Sequence, residues 1–201
     1  MDRLDLRHLA LPLTLALAAC GGASSEGPTT PTGPPAVDAL YPLAEGNVWS
    51  YDAVSDAGNH LSILRVTAVA GESVTLESDR VPYVYERRPE GLFFPEAGVW
   101  ILKAPIEVGA RWPSRSGRTA EITAMDLALE VRAGAFTRCV RVEEGGGPQG
   151  LTIATTYCPG VGPVRIESEL ATELSGETVR VVAELLGHQI ADPGAAAGAR
   201  N

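Results

Sequence analysis

The side chains with chemistry to offer in this chain are sulfur, imidazole and carboxylate, and their spacing narrows what that chemistry is. The 201 residues include three cysteines, Cys20, Cys139 and Cys158, and three histidines, His8, His60 and His188. The cysteines form no CxxC pair, and no histidine lies within a few residues of Cys139 or Cys158, so the spacing gives little support for reactive thiols. His60 and His188 sit in polar contexts, 128 positions apart, without a recognisable partner. There is no GxSxG, and Lys103, the only lysine, follows Trp100 by three residues, so there is no SxxK either. Gly145-Gly146-Gly147 reads as a hairpin tip rather than a phosphate loop opening a helix. Carboxylates are scattered through Glu121, Asp126, Glu130, Glu143, Glu144, Glu167, Glu169 and Glu173, with no DxDxDG loop for calcium. Glu143-Glu144 and Glu167/Glu169 read as solvated strand faces. The expectation is a protein that is not an enzyme and holds no metal or cofactor.

Composition sets the frame for these residues. Length fits one domain plus tails. Sixteen basic residues, 15 of them Arg, against 25 acidic ones give a net charge of −9. Without a clustered basic tract such a chain is not a nucleic-acid binder. Apolar content of 45% and charged content of 20% suit a packed globule, and 22 Gly with 15 Pro favour turns and short strands over long helices.

The chain opens MDRLDLRHLALPLTLALAAC. Leu9–Ala19 is an apolar run too short to span a bilayer, which takes about 20 residues, but suited to a signal-peptide core. Leu17-Ala18-Ala19-Cys20 resembles the lipobox of bacterial lipoproteins. The resemblance implies removal of residues 1–19, which carry His8, and acylation of the Cys20 sulfur and then of the new amino group. A thiolate is the nucleophile that takes the lipid, and two or more acyl chains give stable anchoring. The alternative is an ordinary secretory leader with a Cys beside its cut site. Asp2 and Asp5 offset Arg3 and Arg7, so the leader departs from the usual positive start. Gly21, rather than Asp, follows the acylated Cys, which by resemblance to Gram-negative sorting implies the outer membrane. The expected location is the cell envelope, with the membrane as a partner through Cys20.

Residues 20–38 read as the lipidated Cys and a disordered tether rich in Pro, Gly, Ser and Thr, and residues 191–201 as a disordered tail. Residues 39–190 read as one β domain. Short β segments fall at 47–54, 61–70, 73–78, 81–87, 92–94, 99–103, 122–131, 138–143, 151–157, 164–170 and 178–186, separated by turn signals. The pattern predicts an all-β, single antiparallel open barrel or half-barrel, with a helix somewhere in 164–189 as the alternative in that region.

Four pieces carry a further resemblance. Tyr41-Pro42-Leu43-Ala44-Glu45-Gly46-Asn47-Val48-Trp49-Ser50-Tyr51 is similar to YxPLxxGNxWxY, and 105–112 to PLxVGxxW. Residues 131–142 are similar to VPAGxFxxCxxV, with Arg132 in place of Pro, and 157–165 to YAPGVGxVK, with Cys158 in place of Ala. Together they resemble a loose group of uncharacterised bacterial envelope proteins and lipoproteins. That resemblance implies an open-barrel domain and no activity. In physical terms Gly46 and Gly109 permit positive-φ turns three residues before Trp49 and Trp112, and Ala133-Gly134 is a corner before Phe136. Trp49, Trp112, Tyr83, Tyr85 and Phe136 are then either core or the lining of a ligand pocket.

With Cys20 committed to lipid, an oxidising envelope favours a Cys139–Cys158 bridge over two free buried thiols or redox and metal chemistry. A hairpin of 138–143 with 152–158 brings Cys139 opposite a residue near 156–158. Two functional expectations follow: a binding or carrier module for an apolar ligand or envelope partner, and a structural or assembly lipoprotein that docks on another envelope protein.

Overall fold

The computed structural model describes residues 33–171 and 177–191. Twelve strands form one antiparallel sheet: β1 (Val48–Ser55), β2 (Gly58–Ala70), β3 (Ser73–Ser78), β4 (Val81–Arg88), β5 (Gly91–Phe94), β6 (Val99–Lys103), β7 (Arg111–Pro113), β8 (Thr119–Val131), β9 (Gly134–Gly145), β10 (Leu151–Cys158), β11 (Gly162–Ala171) and β12 (Thr178–Gln189). Their order in the sheet is β6-β5-β4-β3-β2-β1-β12-β11-β10-β9-β8-β7. The sheet curls until β6 and β7 lie beside each other, giving a barrel with one unsealed seam. The all-β, open-barrel expectation is therefore met.

Alternation makes the barrel. Along β1 the side chains of Trp49, Tyr51 and Ala53 are buried, and on β2 and β3 Leu64, Val66, Val74 and Leu76 continue the inner face. Successive strand residues point to opposite faces, so these i, i+2 sets share one side of the sheet. The turns before Trp49 and Trp112 do use Gly46 and Gly109 at φ +86° and +89°. Pro159–Val161 turn β10 into β11, and Arg132-Ala133 turn β8 into β9 just before Gly134.

The strands expected at 164–170 and 178–186 form, and the helix alternative for that region does not. Residues 164–171 and 178–189 are strand, and the short helix α1 lies instead at Val37–Leu40. The run Thr178–Val182 is rich in β-branched side chains, and its pairing with both β1 and β11 outweighs local helix propensity. The folded region also begins before residue 39. Val37 and Asp38 belong to α1, and the Arg138 guanidinium donates to the Gly33 carbonyl. At the other end the Ala191 N–H donates to Asn47 Oδ1 at 2.7 Å. The expected leader, Cys20 and most of the tether and tail lie outside the described residues.

One end of the barrel is closed by α1 and the residues after it. Leu40 and Tyr41 are buried, and the Gly160 N–H donates to the Ala39 carbonyl. Tyr41 packs edge-on against Trp49, with ring centroids 5.7 Å apart, and tilted against Tyr157 at 5.9 Å. Toward the other end, a 3₁₀ turn at Arg115–Gly117 joins β7 to β8.

Candidate functional site

The barrel interior holds a cavity of about 320 Å³. Its lining includes Tyr41, Tyr51, Tyr83, Tyr85 and Tyr157, which are all five tyrosines of the chain. Leu64, Ile101, Ile153, Ile166 and Ala183 supply apolar wall. Ser62, Ser78, Thr155, Arg115, Arg118 and Glu144 supply the polar groups.

Four of the five phenols are placed by strand register, and Tyr41 by its position directly after α1. Tyr51 lies on β1, Tyr83 and Tyr85 on the inner face of β4, and Tyr157 on β10. Tyr51 donates its hydroxyl to the Pro163 carbonyl at 2.8 Å. Tyr83, Tyr85 and Phe94 form a cluster with centroids 5.1–6.4 Å apart. Burial pushes all five phenols above their ordinary range, with neighbouring tyrosines adding to the effect at Tyr41, Tyr51, Tyr83 and Tyr157. They are therefore neutral hydroxyls at any physiological pH.

The charged groups come from the β7–β8 connection and from β9. Arg115 donates from Nη2 to the Tyr85 hydroxyl at 3.4 Å and stacks over the Phe94 ring at 4.6 Å. Arg118 pairs with Glu144 at 3.3 Å, and the Ser114 hydroxyl donates to the same carboxylate. Glu144 is a correction to the solvated-face reading of Glu143-Glu144. Adjacent strand residues face opposite ways, so Glu143 stays outside with Arg141 while Glu144 turns inward.

The five aromatics singled out from sequence do not form one pocket. Only Tyr83 and Tyr85 line the cavity. Trp49 is fully buried and donates its indole N–H to the Val161 carbonyl at 2.6 Å, and Trp112 donates to the Trp100 carbonyl at 3.1 Å. An indole nitrogen has one hydrogen to give, and both are satisfied by backbone, so the two rings are core. Phe136 is half-buried and packs beside His188, 6.1 Å between centroids. Sequence reasoning missed Tyr41, Tyr51 and Tyr157, although each stands in a quoted motif, and missed the two arginines.

His60 and His188 are both exposed and are not brought together, one near the end of β1–β2 remote from α1 and the other near Trp49. Among the described residues no group of three or more His, Cys, Asp or Glu is placed to hold a metal. Cys139 and Cys158 form a disulfide with 4.2 Å between Cα atoms. The β9–β10 ladder pairs Val140 with Tyr157, so the next pair along is Cys139 with Cys158. Outside the barrel, Glu167 accepts from Arg141 at 2.7 Å and Arg180 at 3.1 Å and pairs with Arg165 at 3.2 Å.

No family model matches the chain, and no curated protein matches it in sequence. Among solved structures it is similar to a "putative lipoprotein" from Parabacteroides distasonis ATCC 8503, at 13% identity and a TM-score of 0.41, over 75% of this chain and 98% of that one. It is similar at the same identity and TM-score to a "putative exported protein with YmcC-like fold" from Bacteroides fragilis NCTC 9343, over 74% of this chain and 98% of that one.

Proposed function

We propose that this chain is a lipid-anchored lipoprotein of the bacterial cell envelope, held in the outer membrane through Cys20, whose β domain is a non-catalytic carrier for a small apolar ligand. The observation that carries the carrier reading is the tyrosine-lined cavity. Its volume lies within the range of small-molecule sites, roughly 300–1,000 Å³, and its wall has the usual character of apolar and aromatic surface with a few polar groups. Neutral phenols suit such a ligand, because each offers a ring face and a hydroxyl that needs no counter-ion. The anchor rests on Leu17-Ala18-Ala19-Cys20.

Native mass spectrometry of the protein isolated from its own envelope tests the carrier reading. A small apolar molecule should dissociate from the parent chain, and Ala183→Trp, which fills the cavity from β12, should remove it while leaving the far-ultraviolet circular dichroism unchanged. A chain that carries nothing and takes up no apolar probe contradicts the reading. The anchor is tested separately: Cys20→Ser should leave the membrane fraction, and unchanged sedimentation counts against acylation.

The seam supports a second reading. β6 and β7 each present a strand edge without a ladder partner on that side, a feature that suits docking on another envelope protein. The unfilled interior favours the carrier.

A further inference from the structure

The cavity is apolar in shape but not in charge, and the charge sits at one place. Arg115 and Arg118 come from the same short connection between β7 and β8, fixed by backbone hydrogen bonds from Ser114 to Arg118 and from Arg118 to Arg115. Arg118 is only 7% exposed, a rare state for a guanidinium. Its buried Nε–H has no hydrogen-bond partner, but its Nη2 is taken by Glu144. The positive charge of Arg118 is thus already offset by Glu144. Arg115 has no carboxylate within ion-pair distance among the described residues; its near neighbours are the Tyr85 hydroxyl and the Phe94 ring. Two guanidiniums against the single carboxylate of Glu144 leave one positive charge facing the cavity. The connection is also tightly seated, because a Cβ at Gly147 would come within 2.8 Å of Arg118 Cγ and 3.0 Å of the Ser116 carbonyl oxygen.

We propose that the ligand is an amphipathic monoanion, a small carboxylic acid whose carboxylate is held by Arg115 beside the Arg118–Glu144 pair while its apolar body lies among the tyrosines. This rests on the carrier reading and adds the head group to it. A guanidinium is weakly hydrated and presents its donors in a planar fork that matches a carboxylate, and a hydrogen bond between charged groups is roughly twice as strong as a neutral one. Glu144 sets the limit: it neutralises one arginine, so a monoanion balances the site and a dianion overfills it.

Calorimetric titration of the full chain carrying Cys20→Ser, which keeps acyl chains out of the sample, tests the head group with three probes of equal tail: octanoate, 1-octanol and octyltrimethylammonium. Octanoate should bind about tenfold more tightly than 1-octanol, as expected for a charge-assisted contact, and the cation most weakly. Arg115→Gln should weaken octanoate binding by about tenfold more than it weakens 1-octanol binding, so that the two probes then bind alike. Octyl phosphate, titrated at a pH where it is dianionic, should gain nothing over octanoate. Equal binding of octanoate and 1-octanol, or octanoate binding indifferent to Arg115→Gln, overturns the head-group inference and leaves the apolar carrier standing. Failure of both probes to bind overturns the carrier reading itself.

Discussion

The five tyrosines and the two buried tryptophans divide the interior between them by what their polar atoms need. Each of these indoles is finished once its single N–H meets a carbonyl, so Trp49 and Trp112 close against backbone and fill space. A phenol can both give and accept, and five of them around one void leave polar capacity facing inward. Because burial raises all five pKa values, the folded state holds these protons more tightly than the unfolded chain. The sign follows: their contribution to stability is full below about pH 10, the unfolded value, and is lost as pH rises above it. A spectrophotometric titration of tyrosinate should show one steep step coincident with unfolding by circular dichroism. A gradual rise centred near the ordinary phenol pKa in the folded protein would mean the rings are open to water. The cysteines give a second residue-scale prediction. The bridge closes a sequence separation of 19, which corresponds to about 3 kcal/mol of stabilisation. Thiol labelling under denaturing conditions should find two more thiols after reduction than before, and equal counts would contradict the bridge. Both cysteines were visible in the sequence, and so was their rough register. Which aromatics would line a void was not, because the two-residue period places a side chain inside without saying whether its neighbours fill the space around it.

At the scale of elements, the strands with clear alternation were legible and the exceptions have local causes. β7 is three residues, Arg111-Trp112-Pro113, too short for any period to show, and its proline cannot donate to a ladder. β9 and β8 depart from regular pairing near Arg138 and Asp126, both at positive φ, and the register shifts there bring Leu127 opposite Cys139. The period-two face of Met125, Leu127 and Leu129 is consequently only half-buried at the edge of the core. On the outer face of β9–β12, Glu167 is 13% exposed and gathers three arginines, more than a solvated strand face requires. Burial pushes its carboxyl up, but the hydrogen bonds and charges of Arg141, Arg165 and Arg180 outweigh this and bring it below the usual value. Its contribution is therefore present above the unfolded carboxylate pKa, about 4.3, and lost as pH falls through the lower folded value. The melting-temperature difference between the parent and Glu167→Gln should be largest near neutrality and shrink on acidification. A difference that stays constant down to acid pH would show that the arginines do not hold the charged form. The β9–β10 loop offers the other test. Gly147→Ala pushes a methyl group into Arg118 and the Ser116 backbone and should cost about 1–3 kcal/mol, the usual range for overpacking. Gly146→Ala meets no atom within 4 Å but sits at φ +76°, so it reports strain alone and separates the two effects.

For the whole molecule, twelve strands curl far enough to enclose a space and stop short of sealing it. The seam is bridged by a side chain, Trp112 donating to the Trp100 carbonyl, rather than by a ladder. The open-barrel class could be read from strand number, turn spacing and the lack of long helical periods. Closure could not, since it depends on the bulges and on how α1 folds under the barrel, and α1 is built from residues such as Val37 and Asp38 that read as tether. The charged corner was equally hidden: Arg115 and Arg118 are unremarkable in sequence and become a site only when their turn folds against Tyr85, Phe94 and Glu144. The central claim is that this space is for a ligand. The most direct measurement is a crystal structure of the protein grown with 8-bromo-octanol, read by the anomalous signal of bromine. The account predicts a bromine peak inside the barrel within contact of Tyr51, Tyr83 or Tyr85, absent in Ala183→Trp. Bromine found only on the outer surface, with the interior filled by the protein's own side chains, would contradict it.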